Sequence, residues 1–390
     1  MLNDTVLICA FLTAAFTVGI ARPEERFSIK VGDKFGAIDV TGKVVIEPQY
    51  DNELIFTDGL ARARVGGKLG YIDTAGQVAI SPKATLTIGS GDFAQELSLA
   101  GAISGDFSEG LATYRMDSKY GYVDRSGAVV IPAQFAEAGE FRDGEALVRT
   151  STGYGLIDRQ GKFQIEPKFE RSFGFREGLA AVLVRGQGYG YIDRSGRFVI
   201  EPQYNFAYDF SDGRARVQVK GRGYGYIDKS NKLVIEPPAD YKLSADFAGG
   251  VAPINVPGKG WGLIDLQGKF VVEPQFFSIG KFSEGLAPVA VGDFQNHRWG
   301  YLDSKGRIVV PAEYDRVGPF IRGFGGVWMR GKGFGFVNAA GKLVIGPLAE
   351  CQNVEPFKDG LARVWFSQRN NESGVWGYID TKGKLVWRGQ

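Results

Sequence analysis

The sequence is poor in the side chains on which most catalytic and metal sites depend. Its 390 residues include one histidine, two cysteines and three methionines. The histidine, His297, lies in a connector, where we interpret it as a solvated loop residue rather than a general base. Cys9 and Cys351 are far apart in the chain and cannot supply the paired cysteines of a zinc site. The sequence therefore predicts a protein that is not an enzyme and has no metal site.

The charge balance also excludes several classes of partner. With 46 basic and 44 acidic residues the net charge is +2, which gives no electrostatic reason to expect nucleic acid. Pairs such as Gly223 and Gly225 lie in predicted strands that no helix follows, so they do not predict a phosphate-binding loop. We expect no cofactor.

The N-terminal segment predicts export. Residues from Thr5 to Ala21 carry no charge and end in small residues, which is typical of a secretory signal peptide cleaved after Ala21. The preceding stretch contains Asp4 and no lysine or arginine, so an uncleaved N-terminal membrane anchor is the alternative. We expect a periplasmic, cell-surface or secreted protein that contacts a membrane only if residues 1–21 are retained.

A short phrase recurs along the chain with a period near 35 residues. It reads aromatic-Gly-x-(Ile/Val)-Asp, then a turn with Gly, then an apolar run ending in Pro, as in "GYGYIDRSGRFVIEP" at 188–202. Ten copies are marked by the last residue of the first part: Asp39, Asp73, Asp124, Asp158, Asp193, Asp228, Asp265, Asp303, Asn338 and Asp380. A fixed period of this size indicates a repeat architecture. After the signal and a lead-in at 22–33, residues 34–390 form one repeat domain.

Each copy predicts three short antiparallel β-strands. Its runs of Val, Ile, Tyr and Phe are four to six residues long and are bounded by Gly and Pro. The Asp-x-x-Gly turn needs a residue in the left-handed αL region, which Gly adopts at no steric cost. Nine copies have Gly there, among them Gly196 and Gly268, and Asn231 replaces it once. Asn is the non-Gly residue that best tolerates αL, so Asn231 supports the turn assignment.

The residue that begins each copy forms a further pattern, which we call the aromatic ladder. Its members are Phe35, Leu69, Tyr120, Tyr154, Tyr189, Tyr224, Trp261, Trp299, Phe334 and Trp376, and each precedes a Gly. A Gly within a strand often marks a close approach of another group, here an aromatic ring of the adjacent copy. The alternative is a solvent-facing strip that binds sugars or an extended peptide. On that reading the candidate partner-binding residues are Tyr154, Tyr189, Tyr224, Trp261, Trp299 and Trp376.

The copies "GWGLIDLQGKFVVEP" and "RWGYLDSKGRIVVP" resemble the bacterial WG-repeat family, although Trp holds only three ladder positions. The resemblance implies tandem β repeats that serve as interaction surfaces. We predict an all-β array of about ten three-stranded hairpin repeats in an open β-solenoid or superhelix, because the last copy ends in "KLVWRGQ" like a cap. A β-propeller, which would bring the termini together, is the alternative. The expected function is an exported, non-catalytic scaffold for protein partners, and the alternative is binding of carbohydrate or cell-wall glycan.

Overall fold

A computed structural model describes residues 25–65, 67–81, 85–88, 95–98, 102–219, 221, 223–236, 242–243, 245–366 and 375–389. The predicted signal or anchor at 1–21 lies outside the described residues.

The chain forms ten small antiparallel sheets, the blades, in chain order. The strands of blades 1 to 5 are β1 (Phe27–Val31), β2 (Lys34–Ile38) and β3 (Val44–Tyr50); β4 (Phe56–Thr57), β5 (Leu60–Val65), β6 (Lys68–Asp73) and β7 (Val78–Ile80); β10 (Leu111–Met116), β11 (Lys119–Asp124) and β12 (Val129–Phe135); β13 (Glu137–Ala138), β14 (Glu145–Arg149), β15 (Tyr154–Asp158) and β16 (Phe163–Phe169); β17 (Arg171–Arg176), β18 (Leu179–Val184), β19 (Gly188–Ile192) and β20 (Phe198–Tyr204). A separate hairpin of β8 (Thr85–Ile88) and β9 (Gln95–Ser98) lies between blades 2 and 3.

The strands of blades 6 to 10 are β21 (Phe206–Ser211), β22 (Arg214–Val219), β23 (Gly223–Ile227) and β24 (Leu233–Ile235); β25 (Lys242–Leu243), β26 (Val251–Val256), β27 (Gly260–Asp265) and β28 (Phe270–Phe276); β29 (Ser278–Ile279), β30 (Leu286–Gly292), β31 (His297–Asp303) and β32 (Ile308–Tyr314); β33 (Arg316–Ile321), β34 (Phe324–Met329), β35 (Gly333–Asn338) and β36 (Leu343–Leu348); β37 (Cys351–Val354), β38 (Leu361–Phe366), β39 (Trp376–Asp380) and β40 (Leu385–Arg388).

Most blades have four strands, so the prediction of three-stranded repeats was wrong. The added strand comes from the stretch that lies between copies of the phrase and ends in Phe-x-x-Gly, as in "FSDG" at 210–213. In blade 6 this stretch is β21, and Asp212 (φ +51°) and Gly213 (φ +70°) turn the chain into β22. Two successive residues of positive φ form the type I′ turn that suits a two-residue hairpin, for which Asp-Gly is a preferred sequence.

The predicted turn between the third and fourth strands is confirmed. Asn231 has a φ of +67° and Gly196 a φ of +76°. In the turn of blade 6, Asp228 Oδ1 accepts hydrogen bonds from the backbone N–H of Ser230 at 2.9 Å and of Lys232 at 3.0 Å. The other nine turns have the same pair of acceptor bonds, with Asn338 in place of Asp in one of them.

The glycine after each ladder residue has a different cause from the one predicted. A β-carbon on Gly155 would lie 2.6 Å from the carbonyl oxygen of Ile165 and 2.9 Å from the nitrogen of Pro167. The pairing of β15 with β16 shifts register at this point, so the fourth strand bulges over bare backbone. The close approach is therefore the backbone of the same blade, and not an aromatic ring of the adjacent copy. Pro is tolerated there because the fourth strand is an edge strand.

Neighbouring blades share small apolar cores. In the repeated contact, a buried aromatic residue of the third strand packs against the Phe of the next blade's first turn. Tyr191 and Phe210 lie 4.8 Å apart between ring centroids, as do Tyr226 and Phe247, both edge to face. The phenol oxygens also bond across the interface, and Tyr122 donates to the carbonyl of Gly139 at 2.8 Å. The alternation of side chains along each strand therefore places one set of residues against the next blade, where their packing holds the two blades together.

The first and last blades close into a ring. Phe27 and Tyr378 pack at 5.6 Å between ring centroids, and the Tyr378 hydroxyl donates to the carbonyl of Ser28 at 2.9 Å. Arg363 and Glu53 form an ion pair at 2.5 Å across the same junction. The prediction of an open solenoid was therefore wrong, and the alternative, a β-propeller, is the fold, with ten blades.

Strand patterns gave no signal for closure because, among the described residues, no strand is shared between the first and last blades. Blade 10 is completed by its own β40, and blade 1 is made of β1 to β3 alone. Side-chain packing and isolated hydrogen bonds join them instead. Leu54 of the neighbouring segment is 2% exposed, and its N–H donates to Ser28 Oγ at 3.1 Å, so this segment covers the edge of β1.

Candidate partner-binding surface

The first strands form the inner edge of the ring. The sheet order places the first strand at one edge of each blade and the fourth strand at the other. First strands of neighbouring blades also touch, since β17 of blade 5 contacts β21 of blade 6. We call the half-exposed side chains of the first strands, together with the residues opposite them on the second and third strands, the inner-edge surface. The ladder residues belong to its third-strand row, so the ring presents them in series.

In blade 4 the ladder residue is part of a charged network. The Tyr154 hydroxyl donates to Glu137 Oε2 at 2.5 Å, and Arg149 bonds to Glu137 Oε1 at 2.6 Å. The Arg149 guanidinium lies 5.7 Å from the centre of the Tyr154 ring. The hydrogen bond from Tyr154, then that from Arg149, lowers the pKa of Glu137. Tyr154 is therefore held by side chains of the first and second strands.

In blades 5 and 6 the ladder residues join a cluster of first-strand rings. Phe173 stacks on Tyr189 with an interplanar angle of 6° and centroids 6.2 Å apart, and Phe206 lies 5.1 Å from Tyr189. Tyr208 extends the cluster to Tyr224 at 6.2 Å. Tyr189 is only 3% exposed, whereas Phe173 is 49% exposed. The exposed aromatic surface here is thus supplied mainly by a residue of the first strand.

The tryptophans of the ladder are half-buried. Trp261 pairs with Phe276 across β27 and β28 and packs against the core between blades 7 and 8. Trp299 contacts His297 edge to face at 6.0 Å. Trp376 stacks on Phe35 at 6.4 Å across the junction of blades 10 and 1.

Several cavities open on the inner-edge surface, and two of them are large. One, of about 780 Å³, lies along blades 3 to 5 and is lined by Glu137, Arg142, Phe173 and Arg194 among others. Its charges are largely paired, since Arg194 bonds to Glu145 and lies 3.5 Å from Asp143. The second cavity, of about 620 Å³, lies between blades 9 and 10 and is lined by aromatic rings.

The groups that could carry chemistry are held apart. His297 stacks on Phe277 at 4.6 Å, and its Nδ1 lies 3.1 Å from the carbonyl oxygen of Asp293. Burial raises the pKa of the Cys351 thiol to about 11, which keeps it protonated near neutral pH. Within the described part of the chain, no group of three or more His, Cys, Asp or Glu side chains is placed to hold a metal ion.

Sequence reasoning missed the residues opposite the ladder. Arg149, Trp328 and Trp365 lie on second strands and face Tyr154, Phe334 and Trp376 in the strand register. The alternating stretch after each Phe-x-x-Gly contains them. Because side chains two residues apart in a strand lie on the same face of the sheet, that alternation would have placed these residues on the face that carries the ladder. The first-strand residues Phe173 and Arg316 gave no such signal, because their stretch lies outside the recurring phrase.

The comparisons with known proteins agree with the repeat. Nine segments match the family described as WG containing repeat: residues 35–68, 120–150, 154–187, 189–222, 224–259, 261–293, 299–332, 334–364 and 376–386. The chain belongs to this family. Each matched segment begins at a ladder residue, and the copy that begins at Leu69 is not matched. In blades 4 to 9 each WG unit thus starts in the third strand of one blade and continues into the next.

Solved structures show likeness of fold alone. A structure described as the eukaryotic initiation factor has a TM-score of 0.50 and 12% identity, over 85% of this chain and 96% of that one. BamB from Moraxella catarrhalis has a TM-score of 0.33 and 11% identity, over 68% and 93%. A search of curated proteins found no match. Among the described residues, no helix has the length and apolar character required to cross a membrane.

Proposed function

We propose that this WG-repeat propeller is an exported, non-catalytic scaffold that binds a protein partner through its inner-edge surface. The observation that carries the proposal is the row of exposed or half-exposed aromatic and arginine side chains on this surface. Phe173, Arg316 and Trp328 belong to it. Aromatic residues and arginine are enriched at protein interfaces and supply most of their binding energy.

The repetition of the blades gives the proposal a second physical argument. Ten blades present related positions around one ring, so several weak contacts with one partner act together once the first has formed. The rigid core between blades also holds these side chains in place, which reduces the entropy lost on binding.

The absence of catalysis is part of the same proposal. A nucleophile needs a base within hydrogen-bond reach. The Cys351 thiol is 7% exposed, and the only imidazole stacks on Phe277 in another blade.

Carbohydrate binding along the ladder has less support from these contacts. A sugar ring stacks on an open aromatic face, yet Phe173 lies on Tyr189, and Phe35 lies on Trp376. The protein's own rings therefore occupy the surface that a glycan would use at these two positions.

Site-specific photo-crosslinking tests the proposed surface. Phe173 on the inner edge and Val199 on the fourth strand of the same blade have nearly equal exposure, 49% and 48%. A benzophenone amino acid is placed at one position or the other in the full chain, in the native cells. We expect a discrete protein adduct from position 173 and none from position 199. Adducts from position 199 alone, or no protein adduct from either position, would exclude the inner edge of blade 5 as the binding surface.

Export is tested by the N-terminus of the mature protein. Edman sequencing of protein from the cell envelope or medium should begin at Arg22. Met1 on membrane-bound material would establish the anchor instead, and protein confined to the cytoplasm would remove export from the proposal.

A further inference from the structure

The cavity between blades 9 and 10 differs from the other blade junctions in its lining. Trp328 and Phe334 come from blade 9, and Trp365 comes from blade 10. All three rings are partly exposed. The floor is apolar, with Phe336 1% exposed and Val354 packed beside it in the core between blades 9 and 10. The site is therefore a groove with aromatic walls and an aliphatic and aromatic base.

The groove exists because one side chain is missing. Gly326 faces Phe336 in the register of β34 and β35. The equivalent residue of blades 2, 6 and 10 is an arginine, each paired with a tyrosine of the third strand: Arg62 with Tyr71, Arg216 with Tyr226 and Arg363 with Tyr378. In blade 9 both members of the pair are smaller or less polar, so the space that an arginine fills in those three blades is open.

Backbone strain does not explain this glycine. Gly326 is not among the residues of positive φ. A β-carbon added to it would lie 3.9 Å from Phe336 Cε1 and 3.9 Å from Val354 Cγ2, which is ordinary van der Waals contact. A larger residue is therefore compatible with the fold at position 326, and the glycine has the effect of keeping the groove open.

The base of the groove favours an apolar ligand over a sugar. Phe324, Phe336 and Val354 offer no hydrogen bonds from their side chains, and the carbonyls of Gly318 and Gly326 already accept from the Tyr301 hydroxyl at 2.9 and 3.1 Å. A glycan hydroxyl buried there without a partner would cost free energy, because it gives up its hydrogen bonds to water. An apolar side chain or a proline ring would not.

The groove is elongated, and it carries one basic and one acidic side chain. The first strands β33 and β37 flank it, and the six residues of β33 span roughly 20 Å at about 3.3 Å per residue. Arg316 on blade 9 lies 5.0 Å over the Trp328 ring, and Glu355 lies on blade 10. Both charged residues are exposed. An extended segment can lie along the groove with an acidic residue near Arg316 and a basic residue near Glu355.

We propose that this groove binds a short proline-rich segment of the protein partner, in the extended polyproline II conformation and flanked by an acidic and a basic residue. Such segments dock in aromatic-lined grooves and lose little entropy because they are already extended. About six residues at roughly 3.1 Å each match the length of β33. The proposal rests on the proposed function and names the partner's chemistry at one site.

A displayed library of random peptides, selected on the full chain, tests the inference, and each enriched peptide is then measured on Gly326→Arg. The arginine reproduces the residue found at this position in three other blades. The matched control is Val344→Arg, which adds the same charge at a 40% exposed site on the fourth strand of the same blade. Arg316→Glu is a second variant, at an exposed residue.

We expect enriched peptides that contain proline and bind wild type and Val344→Arg equally. Gly326→Arg and Arg316→Glu should each weaken binding about tenfold or more by fluorescence polarisation. Enriched peptides without proline, equal binding to wild type and Gly326→Arg, or binding of chitohexaose with no enriched peptide would overturn the inference. Should Gly326→Arg fail to fold, Arg316→Glu decides alone.

The crosslinking experiment separates the two proposals. A protein adduct from position 173 that persists when no proline-rich peptide is enriched rejects this groove and leaves the scaffold function standing. Proline-rich peptides that bind as expected, without any adduct from position 173, support the groove and reject the wider surface.

Discussion

The Tyr204 hydroxyl donates a hydrogen bond to Asn231 Oδ1 at 2.6 Å, across the interface between blades 5 and 6. Tyr204 is 8% exposed and ends the fourth strand of one blade, whereas Asn231 closes a turn in the next. The one turn that replaces glycine thus gains a contact that a glycine cannot make. Asn231 has two roles, one in its own turn and one between blades.

A double-mutant cycle measures the second role. Tyr204→Phe in the wild-type background should cost about 1 kcal/mol of unfolding free energy, the usual worth of one hydrogen bond. In the Asn231→Gly background the same change should cost nearly nothing, because its partner is already absent. Equal costs in the two backgrounds, measured by urea unfolding, would show that the bond does not stabilise the ring.

Asn231→Val tests the first role. A β-branched residue is poorly suited to a φ of +67°, so we expect a loss of about 1 to 3 kcal/mol of unfolding free energy. Asn231→Gly removes the backbone strain of a positive φ, so it should be the more stable variant of the two. The comparison is made by urea unfolding, and a Val variant as stable as the Gly variant would contradict the turn geometry.

Ring closure is tested by comparing two tyrosines of equal chemistry. The Tyr378 hydroxyl bonds to Ser28 between the last and first blades, and the Tyr122 hydroxyl bonds to Gly139 between two interior blades. In a closed ring, Tyr378→Phe and Tyr122→Phe should each lower the unfolding free energy by about 1 kcal/mol. In an open array Tyr378→Phe would lose only the hydrogen bonds that Arg363 donates to this hydroxyl within blade 10, and Glu53→Gln, which removes the charge facing Arg363 across the junction, would be silent. Thermal melts of the three variants and wild type distinguish the cases.

The turn carboxylates predict a loss of stability in acid. The hydrogen bond from Ser230, assisted by backbone N–H groups, lowers the pKa of Asp228 in spite of some desolvation. A carboxyl whose folded pKa lies below its unfolded value of about 3.9 stabilises the protein above that pH. This stability is lost as the pH falls through the folded pKa.

Asp228→Asn should therefore flatten the acid side of the stability curve. Asn338 holds the same place in blade 9 and accepts the same two backbone bonds, so an amide is tolerated there. The melting temperature of wild type and variant is compared from pH 7 down to pH 3. A variant that loses stability in acid as steeply as wild type would show that this carboxyl does not contribute.

Cys351 offers a probe of the closing blade. Its thiol is 7% exposed, and burial raises its pKa to about 11, so the reactive thiolate is scarce at pH 8. Iodoacetamide should label it slowly in the native protein and rapidly in urea. Tyr378→Phe should speed the labelling if blade 10 opens at the junction. Rapid labelling of the native wild type would contradict the burial of this residue.

The sequence predicted the turns and the repeat well because these depend on local backbone chemistry. The φ of Asn231 and the acceptor role of Asp228 follow from two or three neighbouring residues. Closure could not be predicted in this way. It depends on Ser28 and Tyr378, which are 350 positions apart and carry no pattern of their own. The groove depends on the absence of a side chain at Gly326, which acquires meaning only once the strand register is known.

The offset between the WG unit and the blade has a consequence for how such proteins change in size. The segment 189–222 contains β19 and β20 of one blade and β21 and β22 of the next. A duplicated unit would therefore enter the ring through backbone hydrogen bonds at both of its ends, completing half a blade on each side. Gain or loss of a copy preserves every sheet and alters only the circumference, so the width of the central opening is set by the number of copies in the gene.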